Sequence, residues 1–288
     1  MQLQLQNSKI ELLIIAKDRT LMKNQNTLLS IVVATKNNFA ELQETLNSIH
    51  LNCDCNVEVI IIDGGNEIQC KKIISGYNNS IKLNIQYQRE IDKGVFPAQN
   101  QGIKASNSQW IIVLNSGDLL TKYAKAILHI GFLRNFKEEQ ILVFSQDTYS
   151  EIDKKEYLYT PNDESIWPHQ SIIVRKEVYD TYGVYREDFK YAAEQYYFAQ
   201  IRKKVKFKIV NSTLTSYKLG GLSSTVNFKL CLEMYMIRKE LGSNMIQAFT
   251  KSYIFPYGRK LLSNFISDKK IQKLKIVFFS HYRSTHFQ

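Results

Sequence analysis

The chain has 288 residues, of which 44% are hydrophobic, with only four prolines and twelve glycines. This composition is enough for one large folded domain with or without an appended module, and it excludes a disordered or low-complexity chain. The formal net charge is +11, and residues 226–288 alone carry eleven basic against three acidic side chains, a local excess of +8. Such localised charge favours an anionic partner such as phospholipid, phosphate or nucleic acid. The alternative is a solvated tail without a partner.

The cysteines and the hydropathy pattern indicate the compartment. Four cysteines are too few for a disulfide framework in a chain of this length, and the Cys53-Asp54-Cys55 spacing does not suit zinc. No run approaches the roughly 18 apolar residues that cross a bilayer, and the N-terminus lacks the apolar core of a secretory signal. These features predict a cytoplasmic protein with free thiols.

After an N-terminal extension of residues 1–27, strand and helix patterns alternate along the chain. The predicted strands are short and rich in β-branched residues, and span 29–34, 57–62, 82–88, 110–114 and 141–144. The predicted helices repeat apolar residues every three or four positions, and span 37–49, 68–77, 97–105 and 119–136. This alternation predicts an α/β fold with a mostly parallel sheet that is flanked by helices.

Polar residues follow the predicted strands at the edge where such sheets bind ligands. Thr35 follows the first strand, Asp63 the second, Asp92 the third, and Asn115 and Asp118 the fourth. Carboxylates gathered at one edge repel each other and cost desolvation energy, so they favour a functional site over a structural role. A hard divalent cation takes oxygen ligands and commonly shares them with substrate phosphates. The strand ends therefore predict a site for a metal-bound ligand.

The glycine-rich loops that bind phosphate are missing. Neither G-x-G-x-x-G nor G-x-x-x-x-G-K-[ST] follows the first strand, which disfavours a dinucleotide enzyme or a P-loop ATPase. A diphosphate would have to be neutralised by a cation and carboxylates instead.

Seven short motifs carry a family resemblance by their order and spacing. They are SIVVATKN (30–37), VIIIDGG (59–65), EIDKGVFPAQNQGI (90–103), LNSGD (114–118), HQS (169–171), AEQY (193–196) and GGLS (220–223). The chain resembles an inverting family 2 glycosyltransferase of the GT-A fold over roughly residues 28–224. It is similar to bacterial enzymes that assemble capsule, exopolysaccharide or lipopolysaccharide.

The resemblance implies a nucleotide-sugar site in the first half of the chain. Thr35 would contact the base through its backbone, and Asp63, next to Gly64, would accept a hydrogen bond from the base. Asp92 would help to hold the nucleoside. A UDP-sugar is the favoured donor.

The resemblance also implies a divalent cation, Mn²⁺ or Mg²⁺. Asp118 matches the closing acid of the family's D-x-D element, whereas Asn115 stands where the leading Asp is usual. One carboxylate therefore remains as the implied metal ligand.

Glu194 falls where the family places its catalytic base. Inversion requires a carboxylate to take the proton from the acceptor hydroxyl as that hydroxyl attacks the anomeric carbon. The alternative for Glu194 is a solvated helical residue. The leaving diphosphate needs a cation to absorb its developing charge.

Further residues are implied in the acceptor and diphosphate region. His169 would lie between donor and acceptor, and Trp167 would offer a flat face to a sugar ring, although either could be structural. Gly220, Gly221 and Ser223 suit a loop that closes over the diphosphate, or an ordinary turn.

Together these features predict transfer of a sugar, with inversion, to a hydroxyl of a glycan or lipid-linked glycan in bacterial surface polysaccharide synthesis. The expected division is a catalytic domain over 28–225, with a nucleotide-sugar half (28–120) and an acceptor half (121–225). Residues 226–288 are expected to form a basic helical C-terminal region. We expect this region to bind the anionic inner face of the cytoplasmic membrane, with homodimer contact as the alternative.

Two other classes compete with this interpretation. A nucleotidyltransferase acting on sugar phosphates also has carboxylates at strand ends, but the glycine-rich N-terminal loop typical of it is missing. A nucleic-acid-binding protein is suggested by charge alone, and no recognised module supports it. Nucleic acid is therefore not an expected partner.

Overall fold

The computed structural model describes residues 28–53, 57–77, 83–90, 94–150, 155–162, 167–218 and 227–257. The first half of the chain alternates strands with helices. The strands are β1 (Leu29–Thr35), β2 (Val57–Asp63), β3 (Leu83–Arg89) and β4 (Trp110–Asn115), and the helices are α1 (Phe39–Asn52), α2 (Glu67–Ser75) and α3 (Val95–Ala105).

The four strands of this half are parallel and lie in the order β3-β2-β1-β4. Every residue of β1 and β2 is buried, because helices cover both faces of the sheet. The chain winds outward from β1 to β3 and then returns to the other side of β1. This reversal opens a crevice at the carboxyl ends of β1 and β4.

The second half extends the sheet with mixed strand directions. Its elements are β5 (Leu119–Leu120), α4 (Ala124–Ile127), α5 (Ile130–Leu133), β6 (Ile141–Ser150), β7 (Lys155–Tyr159), a 3₁₀ turn (His169–Ser171), β8 (Ile172–Arg175), α6 (Lys176–Tyr182), α7 (Ala193–Ile201), β9 (Phe207–Lys218), α8 (Phe228–Glu240), α9 (Met245–Phe249) and a π turn (Thr250–Ile254). The described strands form one sheet in the order β3-β2-β1-β4-β8-β6-β9-β5, with β7 paired to β6. Strand β8 runs antiparallel to both neighbours.

The predicted α/β fold is confirmed, but the predicted helix over 119–136 is wrong. The segment begins with β5, whose Leu119 and Leu120 pair with β9. The hydroxyl of Thr121 then donates to the carbonyl of Thr213 at 2.6 Å and accepts from the amide of Tyr123. Such local side-chain bonds to the backbone compete with a helix, and only the short helices α4 and α5 follow.

The core has one large cluster on each face of the sheet. One cluster packs α1 and α2 against the strands through residues such as Leu42 and Leu46. The other contains Phe96 of α3, Tyr197 of α7 and Ile237 of α8. Helix α8 therefore packs onto the same core cluster as α3 and α7.

Cys53, Cys70 and Cys231 are buried and form no disulfide among the described residues, whereas Cys55 lies outside them. Within the described ranges, no helix combines the length and the apolarity needed to cross a membrane.

Candidate active site

The loops after β1 and β2 are joined at the ligand-binding edge of the sheet. Thr35 and Asp63 are direct partners in the parallel register, and the amide of Gly64 donates to the carbonyl of Thr35 at 3.0 Å. The side-chain oxygen of Thr35 is buried and has no hydrogen-bond partner among the described residues. A buried hydroxyl without a partner in a free protein is available to a ligand.

Asp63 is fully buried and held by donors from three directions. It accepts hydrogen bonds from the amide of Gly65 at 2.7 Å, the hydroxyl of Tyr87 at 3.0 Å and the guanidinium of Arg89 at 3.3 Å. Burial and the bond to Asp63 raise the pKa of Tyr87 to about 12, so the phenol stays a donor. Asp63 is thus fixed in position at the end of β2. Asp92, its predicted companion, lies outside the described residues.

Glycine at position 64 keeps this edge open. A Cβ there would lie 3.1 Å from Oε2 of Glu90, which is tighter than most carbon contacts. Any larger residue would displace the carboxylate of Glu90.

The turn after β4 orients Asp118. The carboxylate of Asp118 accepts from the amide of Asn115 at 2.8 Å. Gly117 adopts a φ of 98°, a conformation that favours glycine, and its amide donates to Thr45 of α1 at 2.9 Å. Burial raises the pKa of Asp118 to about 6, although the nearby His169 acts in the opposite direction. A buried carboxylate of this kind is stabilised by a positive partner.

The described residues contain no group of three or more His, Cys, Asp or Glu side chains arranged to hold a metal ion. Asp118 is the carboxylate that the turn itself supplies, as its position after Asn115 suggested, and the carboxylate of Glu41 from α1 lies close to Gly117. The site fits a cation that takes one ligand from the protein and others from substrate phosphates, as Mg²⁺ commonly does.

A row of polar side chains leads from this turn to Glu194. Nε2 of Gln99 donates to Oδ1 of Asn115 at 2.9 Å, and Nδ2 of Asn115 lies 3.3 Å from Nε2 of His169. On the other side of the imidazole, Nδ1 of His169 lies 3.7 Å from Oε1 of Glu194. In the neutral tautomer with its proton on Nδ1, Nε2 of His169 accepts from Asn115 and Nδ1 directs its proton toward Glu194, whereas a protonated ring donates from both nitrogens. The fold thus brings together residues that are far apart in sequence.

Burial alone would lower the pKa of His169, but the carboxylates of Glu194 and Asp118 outweigh it and the pKa is raised. Positive charge is therefore favoured between these two acids.

Glu194 lies in the first turn of α7. A carboxylate in the first turn of a helix interacts favourably with the helix dipole. Tyr197 and Ile201, one and two turns later, are buried and anchor the helix. The side chain of Glu194 remains partly exposed beside His169.

Trp167 does not offer a flat face to a sugar ring in this structure. It is only 2% exposed, its ring packs against Phe198 and Phe207, and the guanidinium of Arg202 lies 4.7 Å from its ring centroid. Trp167 is a core aromatic. Gly220, Gly221 and Ser223, predicted to close over a diphosphate, lie outside the described residues.

Three residues that support this site have roles that the sequence did not predict. Gln99 and Asn100 stand within a recognised motif, yet only the structure shows that Gln99 holds Asn115 and that Asn100 holds the backbone of Tyr185. Glu233 lies far along the chain in α8 and binds the segment ahead of α7. No local pattern indicates its partners.

Residues 30–127 match the sequence model of the family described as Glycosyl transferase family 2. The chain is similar to a PGL/p-HBAD biosynthesis glycosyltransferase of Mycobacterium bovis (strain BCG / Pasteur 1173P2), at 22% identity over 226 residues, which are 76% of this chain and 88% of the relative. It is also similar to an uncharacterized glycosyltransferase of Rickettsia felis, at 27% identity over 130 residues, which are 45% of this chain and 20% of that relative.

Solved structures share the fold. The crystal structure of S. aureus TarS 1-349 in complex with UDP has a TM-score of 0.58 and 14% identity, covering 78% of this chain and 70% of that one. The complex of the same protein with UDP-GlcNAc has a TM-score of 0.59 and 15% identity, covering 78% and 71%. The GT-A type of α/β fold is thereby confirmed.

Proposed function

We propose that this chain, whose residues 30–127 match the family 2 glycosyltransferase model, transfers a sugar from a nucleoside-diphosphate sugar to an acceptor hydroxyl, with Glu194 as general base. The observation that carries the proposal is the row from Asn115 through His169 to Glu194 at the ligand-binding edge of the sheet. It connects the turn of Asp118 with the candidate base.

The donor is proposed to be a UDP-sugar. The TarS structures were solved with UDP and with UDP-GlcNAc, which favours uridine for a chain of the same fold. In this proposal Asp63 accepts a hydrogen bond from the base and the buried hydroxyl of Thr35 gains a partner. Asp118 would hold Mn²⁺ or Mg²⁺, and such a cation supplies charge neutralisation for the diphosphate.

Glu194 is proposed to take the proton from the acceptor hydroxyl. The new bond forms between that oxygen and the anomeric carbon while the bond from the anomeric carbon to the diphosphate oxygen breaks on the opposite face, so the configuration inverts. This step requires Glu194 in its ionised form. His169 stands beside the carboxylate and limits its orientation.

Replacing Glu194→Gln tests the assignment. General-base catalysis contributes about 10²–10⁴ in rate, so we expect transfer to fall by about that factor while UDP affinity, measured by calorimetry, is kept. Glu177→Gln is the matched control, because Glu177 also lies in the first turn of a helix but at the opposite edge of the sheet. Near-normal turnover of Glu194→Gln would refute the role and direct attention to His169.

The acceptor is proposed to be a lipid-linked glycan that is reached from an anionic membrane surface. Phe228 is 63% exposed and Leu232 is 41% exposed, and with Met236 they form a stripe of three exposed residues, one turn apart, on α8. The ring of Tyr253 contacts both Phe228 and the exposed Phe249, at centroid distances of 5.7 and 5.1 Å. Clustered exposed apolar residues mark interaction surfaces.

The charge of the chain that follows this surface in sequence favours an anionic bilayer as its partner. The chain continues from it into residues 258–288, which hold seven basic residues and one acidic residue. Basic and apolar groups together bind anionic lipid.

Co-sedimentation with vesicles of phosphatidylglycerol and phosphatidylcholine tests the membrane proposal. We expect Phe228→Ser with Leu232→Ser to reduce binding, whereas Ile68→Ser, an exposed apolar residue on α2, changes nothing. Equal sedimentation of all three proteins would contradict it, and a concentration-dependent mass in solution would indicate the homodimer instead.

A further inference from the structure

Glu233 is a buried carboxylate outside the site described above. It is 9% exposed and lies in the middle of α8. Its Oε1 accepts the amide of Lys190 at 2.7 Å, and its Oε2 accepts the amides of Tyr191 and Ala192 at 2.9 and 3.0 Å. One side chain thus binds three consecutive backbone N–H groups.

These amides belong to the segment that leads directly into α7 and Glu194. The first N–H groups of a helix need acceptors, which a Ser, Thr, Asp or Asn at the cap position often provides. Ala192 occupies that position in α7 and has no side-chain acceptor to offer. Glu233 brings a carboxylate from another helix to the same region, and its charge also complements the dipole of α7.

A second contact from α8 holds the same segment. Two turns after Glu233, Glu240 accepts two hydrogen bonds from Nη1 of Arg186 at 3.0 and 3.1 Å and one from the hydroxyl of Tyr196 in α7. At the start of the segment, Asn100 of α3 binds the amide and the carbonyl of Tyr185 at 2.9 and 2.7 Å. The segment 185–192 is therefore fixed at both ends.

We propose that Glu233 is a positioning residue for Glu194: by binding residues 190–192 it sets where α7 begins and where its first-turn carboxylate stands beside His169. The proposal rests on the proposed function, in which Glu194 is the general base. Its consequence is that the C-terminal region, beyond the part matched by the family model, is needed for the catalytic step.

The expected kinetic effect is on the chemical step and not on donor binding. Glu233 binds the backbone of residues 190–192, whereas Thr35, Asp63 and Asp118 lie at the edge formed by β1, β2 and β4. A misplacement of about 1 Å can cost about 10²-fold in rate. Glu233→Ala should therefore lower kcat by about that factor with an unchanged Kd for UDP. Glu233→Gln keeps one acceptor oxygen, so its kcat should lie between those of Glu233→Ala and the wild type.

Hydrogen exchange gives a readout that needs no substrate. Amides 190–192 should be protected in the full-length wild type, should exchange faster in Glu233→Ala, and should be intermediate in Glu233→Gln. Lys229→Ala, an exposed position one turn earlier on α8, is the control and should leave both exchange and kcat unchanged. If Glu233→Ala fails to fold, Glu233→Gln carries the test.

The outcomes separate this inference from the proposed function. If Glu194→Gln loses transfer but both Glu233 variants keep a normal kcat despite faster exchange, the positioning role is overturned and Glu194 remains the base. If kcat, UDP affinity and melting temperature all fall together in Glu233→Gln, Glu233 is merely structural and the inference is also overturned. If Glu194→Gln keeps full activity, the proposed function itself fails.

Discussion

Gly102 of α3 links the packing of the sheet to the geometry of the active site. A Cβ at this position would overlap Cγ1 of Val32 and lie 3.2 Å from its Cβ and Cγ2, against about 3.5–4.0 Å for an ordinary carbon contact. Val32 is fully buried in β1, and a β-branched side chain has few alternative rotamers. The helix itself must therefore move away from the sheet when Gly102 is replaced by Ala.

The magnitude of Gly102→Ala follows from two opposing effects. Overpacking of a core costs about 1–3 kcal/mol, whereas Ala gains about 1 kcal/mol over Gly in a helix interior. We expect a net loss of up to about 2 kcal/mol in the free energy of unfolding. The displaced helix also carries Gln99 and Asn100, so transfer should fall even in the fraction that folds.

A double-mutant cycle with Val32→Ala gives the sharpest form of this prediction. Removing two methyl groups from Val32 costs about 1.6 kcal/mol of transfer free energy and leaves a cavity. The methyl group that Gly102→Ala introduces would fill that cavity, so this substitution should stabilise the Val32→Ala protein although it destabilises the wild type. Urea unfolding of the four proteins measures the cycle. Additive effects of the two substitutions, or a more stable Gly102→Ala single variant, would refute the reasoning.

Two pH-dependent predictions and one binding prediction follow from the site. Burial raises the pKa of Asp118 to about 6, so the affinity for UDP in the presence of the cation, measured by calorimetry, should fall below pH 6 by about tenfold per pH unit. Asp118→Asn should bind UDP weakly at every pH. An unchanged wild-type affinity at pH 5 would contradict the assignment. The pKa of His169 is raised above its ordinary value of 6.5. The contribution of protonated His169 to the free energy of unfolding is therefore fully present below pH 6.5 and is lost as the pH rises through the folded-state pKa. The stability difference between wild type and His169→Gln should therefore shrink from pH 5.5 to pH 9 in urea unfolding, and a difference that grows would contradict the pairing with Glu194 and Asp118. Asp63→Asn should weaken UDP binding by about tenfold or more, because a hydrogen bond to a charged acceptor contributes about 1.5–3 kcal/mol. Equal UDP affinities of the wild type and Asp63→Asn in a thermal-shift titration would contradict a contact between Asp63 and the base.

The first half of the fold was predictable because its signals are local. β-branched runs and helical spacing identified β1 to β4 and α1 to α3, and the parallel topology then placed Thr35, Asp63 and Asp118 at one edge of the sheet. The second half depends on distant pairings. Leu119 and Leu120 form a strand only because β9, nearly a hundred residues later, lies beside them.

Burial and partner choice also could not be read from the sequence. The sequence does not distinguish a tryptophan in the core from one that stacks on a sugar ring. Only the contacts of Trp167 with Phe198 and Phe207 identify it as a core residue. Glu233 resembles any helical glutamate, because its three partners are backbone amides without a sequence signature. Non-local geometry determines both cases.

The most direct test of the central claim is the release of nucleoside diphosphate from a panel of UDP-, GDP- and dTDP-sugars in the presence of Mn²⁺ and without acceptor. We compare the wild type with Asp118→Ala and with Asp180→Ala, an exposed aspartate of α6 that pairs with Lys176 in its own helix. We predict slow release of UDP from a UDP-sugar by the wild type and by Asp180→Ala, and none by Asp118→Ala. No release from any nucleotide-sugar by the wild type, or undiminished release by Asp118→Ala, would contradict the account.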